Sequence, residues 1–211
     1  MISMDFLDRV IISVDNGLRT LLVRPNSGRP SPLTSQTQTP LPAQEKLTAA
    51  RLMRVNHSGE VAAQALYQGQ ALTARTAEAR AMLLEAAKEE QDHLAWCSSR
   101  LDDLNGKKSL LNPVWYAGSF ALGVASGAMG DKWNMAFLAE TERQVEGHLA
   151  GHLDRLPAQD TKSRAVVEQM RADEARHAQT AVDHGAADMP DVIKGAMRFG
   201  SKVMTTTSYW I

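Results

Sequence analysis

The chain has little cysteine, few aromatics and almost no net charge. Its single cysteine, Cys97, excludes an internal disulfide framework and fits a reducing compartment. Aromatics make up 5% of the residues while alanine and methionine are plentiful, a balance that favours helices over sheets. A formal net charge of -1 gives no bulk attraction for nucleic acid, so no nucleic-acid partner is expected. No Gly-x-Gly-x-x-Gly follows a strand-like run, which excludes a doubly wound dinucleotide site. The first residues offer no unbroken apolar core, because Asp5, Asp8, Asp15 and Arg19 interrupt it. Neither a secretory signal nor a transit peptide is expected there.

What the sequence does have is helical periodicity, over 211 residues, enough for one domain with a sizeable core. Phe6, Val10, Val14, Leu18 and Leu21 recur at helical spacing and predict an amphipathic helix within residues 1–24. Residues 25–44 hold five prolines among Ser, Thr and Gln, which marks a linker with little regular structure. Residues 45–211 then read as an all-α bundle. Its long helices span about 45–75, 77–104, 131–156 and 159–187, with a short amphipathic one at about 190–204. Asn105-Gly106 stops the second, Pro157 closes the third, and Gln159 or Asp160 opens the fourth.

Between the second and third helices, Leu110–Gly130 carries no charge. Its length approaches that of a membrane span, but Asn112, Pro113 and many small residues interrupt it. It reads either as a long crossover packed along the bundle or as a segment dipping into a membrane face.

Two short motifs recur: Glu90-Gln-Asp-His93 and Glu174-Ala-Arg-His177. Residues three apart on a helix share a face, with Cβ atoms about 5–6 Å apart. Each motif therefore aims one carboxylate and one imidazole at one point, the arrangement of di-iron carboxylate bundles, in which two other helices each add a lone Glu. If the first two helices turn near residue 76, Glu90 lies 14 residues beyond the turn and Glu60 lies 16 before it. If the last two turn near residue 158, Glu174 lies 16 beyond and Glu142 lies 16 before. Both halves carry the same layout. Height alone does not separate Glu142 from Glu140 and Glu146.

Carboxylate and imidazole suit iron, and manganese as well, whereas thiolates would favour zinc or clusters. Four carboxylates balance the charge of two Fe²⁺ ions. Metal-bound imidazoles commonly donate their other N–H to a carboxylate. The pseudo-symmetry assigns Asp173 to His93 and Glu89 to His177. His57, His148 and His152 read as polar-face groups or as outer neighbours of the ligands rather than ligands themselves, and Cys97 and Tyr67 as core residues.

The run Arg51-Leu-Met-Arg-Val-Asn-His-Ser-Gly-Glu60, with Tyr67-Gln-Gly-Gln70 after it, resembles the first motif of the 5-demethoxyubiquinone hydroxylases. Glu89-Glu-Gln-Asp-His93-Leu, Thr141-Glu-Arg-Gln-Val-Glu-Gly-His148-Leu and Asp173-Glu-Ala-Arg-His177-Ala are similar to the other three. The likeness covers residues 45–211 and implies a ferritin-like bundle. It selects Glu142 over its neighbours. It implies two Fe ions held by Glu60 and Glu142 as terminal ligands, Glu90 and Glu174 as bridges, and His93 and His177. The implied reaction is O2-dependent ring hydroxylation of a polyprenyl methoxy-methyl-benzoquinol in ubiquinone synthesis, with reducing equivalents ultimately from NADH.

A substrate with an isoprenoid tail gives the apolar segments a purpose. The crossover and the 190–211 end, with Lys194, Arg198 and Lys202 spaced four apart, are expected to meet lipid. The resemblance thus implies a peripheral protein on the cytoplasmic face of a bacterial inner membrane. The same surfaces are open to a second copy of the chain or to partner proteins of ubiquinone synthesis. Iron storage on the same bundle is the alternative, but a storage cage needs neither the apolar crossover nor the Trp-Ile end. A rubrerythrin-like peroxidase commonly adds a four-cysteine iron domain, which one cysteine cannot supply.

Overall fold

A computed structural model describes residues 6–211; residues 1–5, and with them the charge read at Asp5, lie outside the described part. The described residues form seven α-helices and no strand: α1 (Phe6–Leu22), α2 (Ala43–Thr73), α3 (Ala77–Asp103), α4 (Asn112–Ala128), α5 (Asp131–Arg155), α6 (Thr161–Asp183) and α7 (Asp191–Trp210). Helices α2 and α3 pair as one hairpin and α5 and α6 as another, and together they make the four-helix bundle.

Local chemistry sets the helix ends. Thr76 caps α3 by accepting from the Ala79 N–H, and Asn105 takes a left-handed φ of 54° to end it. Of the two residues read as opening the fourth bundle helix, Asp160 does so. Its Oδ1 accepts from Ser163 N at 2.9 Å and from the buried Arg100 guanidinium at 2.8 Å. Arg100 also donates to Ser163 Oγ and to Gln38 in the linker. One buried cation therefore ties α3, α6 and the linker together.

The apolar side chains gather in two layers. One holds Leu52, Met53, Trp96, Leu101, Val166 and Met170, and the other holds Leu66, Tyr67, Leu83, Met135 and Leu138. Between them along the bundle lies a buried charged layer.

Helix α4 is the uncharged crossover, and it packs along α2. The contact is backbone to backbone. A Cβ at Gly69 would strike Phe120 O, one at Gly123 would strike Leu66 O, and one at Gly127 would strike Thr73 Oγ1. Tyr116 then donates to Gln68 at 2.9 Å. The outer side of α4 leaves Val114 and Leu122 exposed. No helix among the described residues is long and apolar enough to cross a membrane.

Two elements differ from expectation. The last helix runs six residues past 204, to Trp210. Its threonines are poor helix formers, but Ser208 is buried against Trp115, and the Arg51 guanidinium covers the Tyr209 and Trp210 rings. The 25–44 linker has little regular structure, with one 3₁₀ turn at Pro32–Ser35, yet it is pinned to the bundle along its length.

The α2–α4 contact predicts a contrast between two glycines of one helix. Gly123→Ala should cost about 1–3 kcal/mol in urea unfolding, as overpacking does. Gly118→Ala, where a Cβ meets nothing within 4 Å, should be neutral or stabilise by up to about 1 kcal/mol. Equal effects would contradict the packing.

Candidate metal centre

The charged layer contains all six residues singled out from the motifs, each from one of the four bundle helices. Glu60 comes from α2, Glu90 and His93 from α3, Glu142 from α5, and Glu174 and His177 from α6. All are buried, from 0% exposure at His93 to 7% at His177.

The ligand atoms form two overlapping groups, Glu60, Glu90, His93 and Glu174 in one and Glu90, Glu142, Glu174 and His177 in the other. Within each group the atoms lie inside 4.8 Å of one another. Glu90 and Glu174 belong to both groups. His93 Nδ1 stands 3.0 Å from Glu90 Oε2, 3.2 Å from Glu174 Oε1 and 3.6 Å from Glu60 Oε2. His177 Nδ1 stands 3.3 Å from both Glu90 Oε1 and Glu174 Oε2. Both imidazoles thus turn Nδ1 inward. Their outward Nε2 atoms meet the two carboxylates expected there: Asp173 at 3.0 Å from His93, and Glu89 at 3.2 Å from His177.

The donors fit a metal pair. Glu142 Oε1 is buried with no hydrogen-bond partner, and Glu90 Oε1 has only the 3.3 Å approach of His177 Nδ1; such lone pairs are costly unless something takes them up. The set is all carboxylate and imidazole.

Proton affinities follow from the crowding. Burial raises Glu60 well above the usual carboxylate range, and the Glu90 charge adds to it. Burial does the same at Glu142, with the Glu174 charge adding. Burial also opposes ionisation of Glu90, but the charge on His93 and hydrogen bonds from His177 and His93 hold it well below that range. For His93 the burial penalty is outweighed by the Glu90 charge and by hydrogen bonds to Asp173, Glu174 and Glu60, so its pKa rises well above 6.5. Burial is likewise outweighed at His177, where hydrogen bonds to Glu174 and Glu90 push the pKa up to about 11.

The three helix-α5 glutamates separate cleanly. Glu142 lies in the cluster. Glu140 accepts from Gln144 at 2.7 Å, and Glu146 pairs with Arg171 at 2.6 Å, both outside it. Cys97 and Tyr67 are fully buried in the core, with Cys97 Sγ 3.7 Å from Met170 Sδ. His57 and His152 lie outside the ligand cluster and are buried rather than on an open polar face, and burial depresses their pKa to about 3 and about 2. His57 faces Asn112, and the His148 and His152 rings touch at 4.0 Å.

The motifs gave no sign of three further residues beside the centre. Asp92 is buried and takes up the linker, Arg176 pairs with Glu89 and Asp173, and Arg29 arrives from the linker itself. Asp92 and Arg176 sit inside the Glu-x-x-His motifs at positions the motif leaves free. Arg29 lies in a segment with no periodicity to read.

Comparison with known proteins gives a full-length match. The family described as ubiquinone biosynthesis protein COQ7 matches residues 47–208. The 3-demethoxyubiquinol 3-hydroxylase of Nitrosospira multiformis is 58% identical over 205 residues, covering 97% of this chain and 99% of that protein. The protein of the same name from Nitrosomonas europaea is 56% identical over the same shares. That of Chromobacterium violaceum is 57% identical over 96% of this chain and 98% of its own.

The raised imidazole pKa values predict that metal displaces protons. Both Nδ1 positions carry a proton at pH 7, so loading two Co²⁺ ions should release at least two protons. Metal affinity should rise with pH through the neutral range, because both imidazoles, held above their usual range, must give up a proton to bind. Calorimetry in buffers of different ionisation enthalpy measures the release. Loading without proton release would contradict the geometry.

Proposed function

The chain belongs to the family of the ubiquinone biosynthesis protein COQ7, and we propose that it is an O2-dependent di-iron monooxygenase that hydroxylates the ring of a polyprenyl methoxy-methyl-benzoquinol, a demethoxyubiquinol. The observation that carries this reading is the pair of buried ligand groups sharing Glu90 and Glu174 in a ferritin-like bundle of that family. The names of the similar proteins supply the substrate. Reducing equivalents come ultimately from NADH, delivered without a dinucleotide fold of the chain's own.

Glu60 and Glu142 would hold one ion each as terminal ligands, with Glu90 and Glu174 between the ions and Nδ1 of His93 and His177 completing the set. When bound, the iron pair would supply electrons to O2 and polarise it. The side chains do the rest. The apolar layers above and below keep water from the charged layer. Asp173 and Glu89 accept from the outward Nε2–H of each imidazole and so fix the inward Nδ1 lone pairs. Glu142 Oε1, buried without a hydrogen-bond partner, is an atom that a bound ion would satisfy.

The tail of such a substrate lives in lipid, and three helices offer it a meeting surface. Helices α1 and α4 touch where Tyr116 lies against Gly17, and α4 meets α7 through Trp115 and Ser208. Their outer sides expose Leu7, Ile11, Leu18 and Leu22 on α1, Val114 and Leu122 on α4, and Val192, Phe199 and Val203 on α7. A shared apolar patch of this kind marks an interaction surface. Lys194, Arg198 and Lys202 on α7 would meet lipid phosphates. The protein would then sit as a peripheral protein on the cytoplasmic face of a bacterial inner membrane, where a second copy or a partner protein of ubiquinone synthesis could share the surface.

Two measurements test the reading. Hydroxylation of a short-tail demethoxyquinol should fall in Glu142→Gln by more than the roughly 10- to 100-fold that loss of an outer partner costs. Glu140→Gln should stay near wild type, and equal losses would undo the ligand assignment. Phe199→Glu combined with Val203→Glu should abolish co-sedimentation with vesicles containing anionic lipid while leaving metal binding intact. Unchanged sedimentation would remove the lipid-facing role of α7.

A further inference from the structure

The linker begins its run across the bundle in a clasp beside the centre. Asp92 Oδ1 accepts from Gly28 N at 2.6 Å and from Ser27 Oγ at 3.0 Å, and its Oδ2 accepts from Arg29 Nε at 2.7 Å. Trp96 Nε1 donates to Ser27 Oγ at 3.1 Å, and the Arg29 guanidinium lies 4.9 Å above the Trp96 ring. Five residues after α1 ends at Leu22, the linker is therefore held to α3 by one buried carboxylate and one indole. From there the guanidinium extends past α3 to α6. Its Nη2 stands 2.9 Å from Asp173 Oδ2, the same oxygen that His93 Nε2 approaches at 3.0 Å. Its Nη1 is 3.9 Å from Glu89.

We propose that Arg29 is a positioning residue for the metal centre, holding the Asp173 carboxylate so that it fixes the His93 imidazole with Nδ1 directed at one of the two ion positions. The inference rests on the two-metal reading above. Asp173 Oδ2 faces the His93 imidazole at 3.0 Å and the Arg29 guanidinium, as an ion pair, at 2.9 Å. A guanidinium anchored on Asp92 holds that carboxylate by charge and keeps it from turning away. Side-chain packing alone does not provide this, because Asp173's other oxygen meets only Gln169 and the half-exposed Arg176. The two imidazoles are thereby treated unequally. Glu89, beside His177, is paired chiefly with Arg176, which comes from α6 itself. Asp173, beside His93, depends on a residue delivered by a segment outside the four bundle helices. The linker guanidinium thus stands 2.9 Å from the carboxylate beside one ion position and only 3.9 Å from the one beside the other.

The test is anaerobic Co²⁺ titration of the full chain, followed by absorption and by the paramagnetically shifted imidazole N–H resonances. Wild type should bind two Co²⁺ ions and show two exchangeable imidazole signals; failure to bind two would sink the metal reading itself. Given that binding, Arg29→Met should weaken one of the two ions roughly 10-fold, the lower end of what losing an outer partner costs. It should also speed solvent exchange of the His93 signal alone. Arg29→Lys, which keeps the charge but reaches only one carboxylate, should fall between the two. In an Asp173→Asn background, Arg29→Met should add nothing further, because both act through one carboxylate. Unchanged affinities, equal weakening of both ions, or an additive double variant would each overturn the proposal while leaving the metal centre standing.

Discussion

Glu60, Glu90, Glu142 and Glu174 are each at most 3% exposed and share one space with two buried imidazoles. Desolvating a carboxylate costs several kcal/mol per ion even after relaxation, of order ~20 kcal/mol in the idealised limit. Four of them at one height of a bundle must be neutralised from inside. Protons can do part of this, and the divided proton affinities of the cluster reflect it. Two glutamates hold protons tightly, while Glu90 stays ionised between two charged imidazoles. Two divalent cations would do it more fully, since they match four carboxylates in charge and take up lone pairs left without partners.

That demand organises the surroundings. The ligand layer divides the core into two apolar layers, and each half of the bundle needs its own closure. Arg100 with Asp160 fastens one end, while Asp131, accepting from Arg75 N and Thr76 N, fastens the loop at the other. With α2 and α3 on one side and α5 and α6 on the other, the crossover has to run along the bundle. The glycines of α2 and α4 let it do so at backbone contact. This leaves its outer face apolar and exposed beside α1 and α7. A buried polar centre next to an exposed apolar wall is the arrangement that a polar-headed, long-tailed substrate requires.

Much of this was legible in the sequence because helical geometry is periodic. The Glu-x-x-His spacing and the matched heights of Glu60 and Glu142 are consequences of a 1.5 Å rise per residue, and all six side chains do come together. The partners of the imidazoles were readable for the same reason, since Asp173 and Glu89 each sit next to a motif glutamate. Spacing could not separate Glu142 from Glu140 and Glu146. One helical turn changes height little, and only the rotation that gives Glu146 to Arg171 distinguishes them. The end of α7 was underread because its threonines oppose a helix locally, whereas Arg51, from the far-off α2, stabilises it. Arg29 was invisible for a different reason. It stands among prolines and serines with no period, and its role depends on where Asp92 anchors the loop.

We propose that the buried carboxylate–imidazole layer would hold an iron pair and supply O2-dependent hydroxylation of a quinol ring. The most direct test is a single turnover of the iron-loaded, anaerobically reduced protein, exposed to ¹⁸O2 with a short-tail demethoxyquinol and followed by mass analysis of the quinone. A product heavier by one labelled oxygen, and lost in Glu174→Ala, is the expected result. Oxygen uptake that yields ferric mineral or peroxide with the quinone unchanged would contradict the hydroxylase account and leave only an iron-oxidising bundle.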